Sequence, residues 1–202
     1  MPIALSSLIR MTEEDNTLLN QILSSFSCEQ DEDIESFLHN KAVEFENLSK
    51  ARTYLICDEE QLADENFCLD QLTIYGYIAV ALKILSVPEE WSNRKRKELD
   101  GLSAKLHGEP IKDFSCYLIG QLSRNSKVPH DSIAGKDLLQ LAYDVIAAAV
   151  DAVGGRYMMI ECRTEKKLVE FYTANGFEEI QRSSDGTHIM VQMIRKNFNL
   201  AR

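Results

Sequence analysis

The chain is short of positive charge, of glycine and proline, and of long apolar runs. Only 22 Lys and Arg stand against 32 Asp and Glu, for a formal net charge of −10 and a pI of about 4.9. A protein coated in nucleic acid needs the opposite balance, so any polyanion contact must be a local patch. Nine glycines and four prolines in 202 residues exclude collagen-like and Pro/Gly-rich low-complexity chains. No apolar stretch is long enough to cross a bilayer, and the opening MPIALSSLIRMTEEDN lacks the basic leader and apolar length of a signal peptide. The cysteines, Cys28, Cys57, Cys68, Cys116 and Cys162, are five in number, scattered, and never in a C-x-x-C pair, which leaves structural zinc unsupported and points to buried thiols in a reducing compartment. The four histidines sit in no Ser-His-Asp or Cys-His motif. These absences lead to the expectation of a cytoplasmic globular protein without a membrane partner.

What is present is an ordinary globular composition, 45% hydrophobic and 27% charged, with length for one domain and a sizeable core. The run from Ser115 to Phe177 organises it. Cys116 to Leu122 is a short apolar segment of the kind that forms a strand covered on both faces. After a polar loop from Ser123 to Ile133, apolar residues recur from Leu138 to Val153 at spacings of three and four, which predicts a helix stopped by Gly154 and Gly155. Arg156 to Cys162 reads as a second strand, so the three make a βαβ unit with parallel strands. Thr164 is placed to cap a following helix with Leu168, Phe171 and Tyr172 on its apolar face, ended by Asn175-Gly176 before a strand from Phe177.

Upstream, Ile3 to Ile9 reads as a short first strand and Thr12 to Ser27 as a helix. A second helix spans Asp31 or Asp33 to about Asn47, with acidic residues in its first turn. Arg52 to Cys57 and Leu72 to Leu85 read as strands, the latter interrupted by Gly76, with an acidic solvated connection between them. Pro88 to Pro110 reads as a short helix and loop containing Arg94-Lys95-Arg96-Lys97. That run is either an RNA contact or, the preferred reading, a solvated face paired with Glu89, Glu90, Glu98 and Asp100. Phe177 to Arg182 and His188 to Arg195 read as a closing hairpin over Ser183-Ser184-Asp185-Gly186.

The strand-loop-helix YLIGQLSRN…IAGKDLLQLA and the ending KLVEFYTANGF resemble the acyl-CoA-binding half of the GNAT superfamily of acetyl-CoA-dependent N-acetyltransferases. FSCEQDEDIESFLHNKAVEFENLSKARTYLI is similar to the opening of the branch that includes the tRNA-acetylating toxins. The resemblance covers most of the chain. It implies an α/β (α+β mixed) fold, a single GNAT-like domain over residues 1–202 with a variable insertion at about 88–112. The mixed central sheet would be splayed at the cofactor site, with helices on both faces.

The family's phosphate-binding signature, Q/R-x-x-G-x-G/A, lets backbone amides approach the CoA pyrophosphate at a helix N-terminus. Here Lys127-Val128-Pro129-His130-Asp131-Ser132-Ile133-Ala134-Gly135 stands in its place, with Asp131 and Ile133 where earlier glycines are expected. Lys127, His130, Ser132 and Lys136 offer donors or charge in compensation, with the amides of Ala134, Gly135 and Lys136 at the helix start. The resemblance further implies that the pantetheine arm of acetyl-CoA pairs with the backbone of Gln121, Leu122 and Ser123. Tyr172 stands at the family position whose hydroxyl protonates the departing thiolate; without the resemblance it reads as a core tyrosine beside Phe171. Glu161 at its strand end is either a base for the acceptor amine, directly or through water, or a structural carboxylate paired with Arg156 or Arg163. His130 is a second candidate base, but its place in the phosphate loop also reads as that of a plain loop histidine.

Three functions follow. One is acetyl transfer to a primary amine in a ternary complex, one is toxin-like acetylation of aminoacyl-tRNA, and one is a non-catalytic interaction module that kept the fold. Homodimers are common in the family, although the sequence has no self-complementary apolar stripe.

Overall fold

The computed structural model describes residues 1–13, 15–64, 66–184 and 186–197. In chain order the strands are β1 (Pro2–Ala4), β2 (Arg52–Cys57), β3 (Ile74–Ser86), β4 (Lys105–Leu106), β5 (Glu109–Pro110), β6 (Asp113–Arg124), β7 (Tyr157–Arg163), β8 (Glu178–Ser184) and β9 (Ile189–Lys196). The helices are α1 (Leu5–Met11), α2 (Asn16–Ser24), α3 (Glu32–Asn40), α4 (Ala42–Asn47), α5 (Glu59–Ala63), α6 (Asn93–Asp100), α7 (Gly135–Val153) and α8 (Lys166–Ala174). Seven strands form a sheet in the order β1-β2-β3-β6-β7-β9-β8, and β4 and β5 pair by themselves. The β1–β2, β2–β3, β7–β9 and β8–β9 pairs are antiparallel. This is a mixed α/β fold, in which β6 and β7 are neighbours separated in the chain by α7, as the βαβ reading requires.

The chain divides into two compact units, Met1–Ala81 with Ile119–Ala149, and Leu82–Leu118 with Val150–Arg202. The first holds a core built on Leu5, Leu8, Leu23, Phe26, Leu38, Leu55 and Tyr77. Residues 3–9 are not one strand. Only Pro2–Ala4 pairs with β2, because winding from Leu5 onward turns Leu5 and Leu8 to one helix face, where both are fully buried. The helix expected over Asp31 to Asn47 breaks at Lys41 (φ −124°) into α3 and α4, and residues on both sides of the break, Phe37, Leu38 and Ala42, are buried. The acidic connection after β2 holds the short helix α5, capped by the Asp58 carboxylate accepting from the amides of Glu60 and Gln61.

Gly76 does not interrupt β3. The register against β2 shifts between Ile56 and Cys57, which face Gly76 and Ile74, so Tyr75 is the extra residue of a bulge. A Cβ on Gly76 would stand 2.8 Å from the carbonyl oxygen of Ser123. Glycine is therefore what lets the end of β6 come close.

The second unit packs Leu85, Leu99, Phe114, Cys116, Tyr157, Met159 and Ile194 into its own core. Helix α8 begins one residue later than a Thr164 cap would set it: Glu165 is the N-cap, with no side-chain capping bond. Asn175 and Gly176 (φ +84°) end it as expected. The β8–β9 connection forms as a hairpin, although Asp185 of its turn lies outside the described residues.

The basic run is not a uniform solvated face. Arg96 is 1% exposed and donates to the carbonyls of Trp91, Ile111, Pro88 and Glu89. Arg94, Lys95 and Lys97 remain exposed, with Lys95 over the Trp91 ring at 4.8 Å. The Glu89 carboxylate forms its ion pair with Lys112, while its carbonyl accepts from Arg96 of the run. Among the described residues, no helix is long and apolar enough to cross a membrane.

Candidate active site

In the first unit the last turn of β6 hands the chain to the loop that precedes α7, and Asn125 fixes that handover. Its amide donates to the carbonyl of Tyr75 at 2.8 Å, and its Nδ2 to that of Ile74 at 2.8 Å. Its Oδ1 accepts from the amides of Ser27 at 3.1 Å and Lys127 at 3.0 Å. Buried to 6% exposure, one side chain thus ties β3, the α2–α3 connection and the loop together. Ser126 and Ser27 add a backbone bond of 2.8 Å.

Between the loop and the α2–α3 connection lies a cavity of about 240 Å³, lined among others by Cys28, Ser123, Arg124, Ser126, His130 and Ile133. Arg124 clips the loop, donating from Nη1 to the His130 carbonyl at 2.7 Å and from Nη2 to His130 Nε2 at 2.8 Å. A guanidinium has only donors, so Nε2 is the acceptor nitrogen there. Neither Arg124 nor Asn125 was singled out from the sequence. The signal was the Arg-Asn that straddles the end of β6, legible only once the strand end is known.

The residues expected to hold a cofactor separate in their surroundings. Ser123 lines the cavity, its hydroxyl donating to the Arg124 carbonyl at 3.1 Å. Gln121 and Leu122 precede it on β6, half-buried, while Lys127, Ser132 and Lys136 are exposed. The amide of Ala134 does not stand open at the helix start: it donates to Asp137 Oδ2 at 3.1 Å, a carboxylate three residues on reaching back to cap α7. The amides of Gly135 and Lys136, the first two residues of a 19-residue helix, have no acceptor among the described residues. Asp131 is exposed, whereas Ile133 is buried into the cavity wall.

Glu161 and Tyr172 belong to the second unit. Tyr172 is 8% exposed, and its ring meets those of Phe171 and Phe177 edge-on, at 5.1 and 5.7 Å between centroids. Glu161 does not pair with Arg156, which donates to the Leu99 carbonyl. Its Oε2 accepts from Lys83 Nζ at 2.5 Å, and its Oε1 from Gln192 Nε2 at 2.6 Å. Lys83 was missed in the sequence, although a single lysine in the apolar strand IYGYIAVALKILS is a signal in itself. Burial pushes the thiols of Cys116 and Cys162 up to about 11 and that of Cys57 to about 12, which leaves them unreactive.

No protein-family model matches the chain, and no curated protein matches it. Solved structures do. A bacterial toxin shares its fold with a TM-score of 0.61 at 14% identity, over 86% of this chain and 82% of that one. The AtaTR crystal structure bound with acetyl-CoA matches with a TM-score of 0.59 at 20% identity, over 85% of this chain and 86% of the other. AtaT complexed with acetyl-methionyl-tRNA matches with a TM-score of 0.57 at 19% identity, over 84% and 85%. The chain has the GNAT fold. At these identities the GNAT likeness speaks to architecture, and the chemistry has to be argued from the chain's own residues.

Proposed function

We propose that this GNAT-fold chain transfers an acetyl group from acetyl-CoA to a primary amine by direct attack in a ternary complex. The observation that carries this reading is the fold shared with AtaTR, a structure bound with acetyl-CoA, over 85% of the chain. Acetyl-CoA supplies the acetyl group as an activated thioester. The N-terminus of α7, with the open amides of Gly135 and Lys136, suits a pyrophosphate through paired N–H donors and the helix dipole. Arg124, Lys127, Ser132 and Lys136 add charge and donors around the loop. The backbone of Gln121, Leu122 and Ser123 would pair with the pantetheine amides. The capped amide of Ala134 would join only by releasing Asp137.

Chemically, the amine nitrogen forms a bond to the acetyl carbon as the carbon–sulfur bond breaks. The amine's proton passes to Glu161, directly or through water, and Tyr172 gives a proton to the departing sulfur. Tyr172 suits that role because Phe171 and Phe177 hold its ring in one orientation.

A second reading, in which the amine is that of an aminoacyl-tRNA, is favoured by the matching structure of AtaT with acetyl-methionyl-tRNA. The exposed Arg94, Lys95 and Lys97 offer the local cationic surface that an acidic chain would need for RNA. Five unpaired cysteines suit a cytoplasmic setting. Calorimetric titration with acetyl-CoA tests the proposal: one-to-one binding is the expected result. Absence of binding at millimolar acetyl-CoA would return the chain to a non-catalytic interaction module.

A further inference from the structure

Glu161 is a carboxylate that already holds a primary ammonium. Lys83 Nζ donates to one oxygen at 2.5 Å and Gln192 Nε2 to the other at 2.6 Å. Gln192 is held in turn, its Oε1 accepting from Gln181 Nε2 at 2.7 Å, and that same Nε2 donates to the Ser86 carbonyl at 2.8 Å. The chain of bonds starts at Lys83 and ends at Ser86, both on β3, so it closes on itself within the second unit. Two of its members are neutral amides anchored on β8 and β9. The ammonium alone hangs on a flexible four-carbon stem, crossing β6 to reach β7.

We propose that the Glu161 carboxylate is the seat of the acceptor's primary amine, and that Lys83 is the positioning residue that fills it until the acceptor arrives. This rests on the acetyl-transfer reading above, which already names a primary amine and Glu161, and adds what holds that place before the acceptor binds: the ammonium of the chain's own Lys83. The chemistry of the exchange is one for one. The incoming group has the charge and the N–H donors that Lys83 provides, so the carboxylate never stands without a cation. The pair is open to exchange, because the Lys83 and Glu161 side chains are 38% and 22% exposed, and ion pairs that accessible are weakly held. The amide network leaves the carboxylate in place when Lys83 swings away. A purely structural salt bridge needs none of this fixation on the carboxylate side alone.

The test uses n-butylammonium chloride as the probe amine and N-acetoxysuccinimide as the lysine label, with the extent of Lys83 acetylation read by peptide mass spectrometry. The tethered lysine competes at an effective concentration in the millimolar range, so butylammonium raised to tens of millimolar is expected to speed Lys83 labelling by about threefold. Butylamine also consumes the reagent, so Lys83 labelling is read as its ratio to the exposed Lys105 and Lys136 in the same sample, and it is this ratio that is expected to rise. Tetramethylammonium, which carries the charge without an N–H donor, should leave Lys83 unchanged. In Glu161→Gln, Lys83 should label rapidly from the start and ignore butylammonium. Equal responses to the two ammonium salts, or no response of the wild-type protein to butylammonium, would overturn the proposal. Neither arm uses acetyl-CoA, so a negative result here stays separate from a negative calorimetric titration.

Discussion

The guanidinium of Arg96 donates from Nη1 to the carbonyl oxygen of Ile111 at 2.5 Å, which ties α6 to the segment leading into β6. With three further carbonyls on the same side chain, a loop of more than twenty residues is gathered on one buried cation. Arg96→Ala is therefore expected to lower unfolding stability by about 3 kcal/mol, since it leaves buried acceptors unpaired. Arg94→Ala and Lys97→Ala, both on exposed positions, should change it by less than about 0.5 kcal/mol. Urea denaturation of the three variants separates the two classes, and equal effects would mean that Arg96 is not the anchor.

Tyr172→Phe keeps the ring contacts with Phe171 and Phe177 and removes only the hydroxyl. Turnover is expected to fall by about 10² to 10⁴, the usual contribution of a general acid, with acetyl-CoA affinity unchanged. Steady-state kinetics beside calorimetry checks both halves. Unaltered turnover would return Tyr172 to the role of a core aromatic.

Gly135→Glu sets a carboxylate at the first residue of α7. Repulsion between that charge and a pyrophosphate at the same helix end is expected to weaken acetyl-CoA binding by roughly tenfold. An unchanged affinity would place the phosphates elsewhere.

Gly76→Ala forces a methyl group to within 2.8 Å of the Ser123 carbonyl unless β6 shifts. Overpacking of this kind costs about 1–3 kcal/mol, and the displaced strand end should also weaken acetyl-CoA binding. Thermal unfolding and calorimetry on one sample read the two effects together; loss of stability with full cofactor affinity would detach Ser123 from the site.

The Glu35 carboxylate is held below its ordinary value of 4.5, first by the amide of Cys28 and then by the hydroxyl of Ser27. A group lowered in the folded state contributes stability that is present above 4.5 and lost as pH falls through the lower, folded value. Thermal unfolding between pH 3 and 6 should therefore show an acid-side decline that flattens in Glu35→Gln. An identical decline in both proteins would shift its origin to the other hydrogen-bonded carboxylates, such as Asp58, which is lowered by the Tyr75 hydroxyl.

The strand Arg52–Cys57 was legible in the sequence to the residue, as β2, whereas the one read over Cys116 to Leu122 extends over Asp113–Arg124, because its polar ends lie outside the apolar run. The long α7 and its double-glycine stop were equally plain, because nineteen residues give a 3.6 period room to repeat. Short elements were not. Over Ile3 to Ile9 a strand and a helix share seven residues, too few for either period to declare itself. The α3–α4 break was hidden because both helices put apolar residues on the same side.

Local chemistry, set by residue type and near neighbours, is what the sequence by itself determined: the strand-loop-helix order around residues 115 to 177 and the polar, glycine-free loop from Ser123 to Ile133 within it. Partner choice was decided only by the tertiary structure. Glu161 chose Lys83, 78 residues away, while Arg156 donates to the Leu99 carbonyl, and Arg96 went inward while its neighbours stayed in water. A charged side chain spends its hydrogen bonds on whatever the fold brings within about 3 Å, and one-dimensional spacing does not encode that neighbourhood.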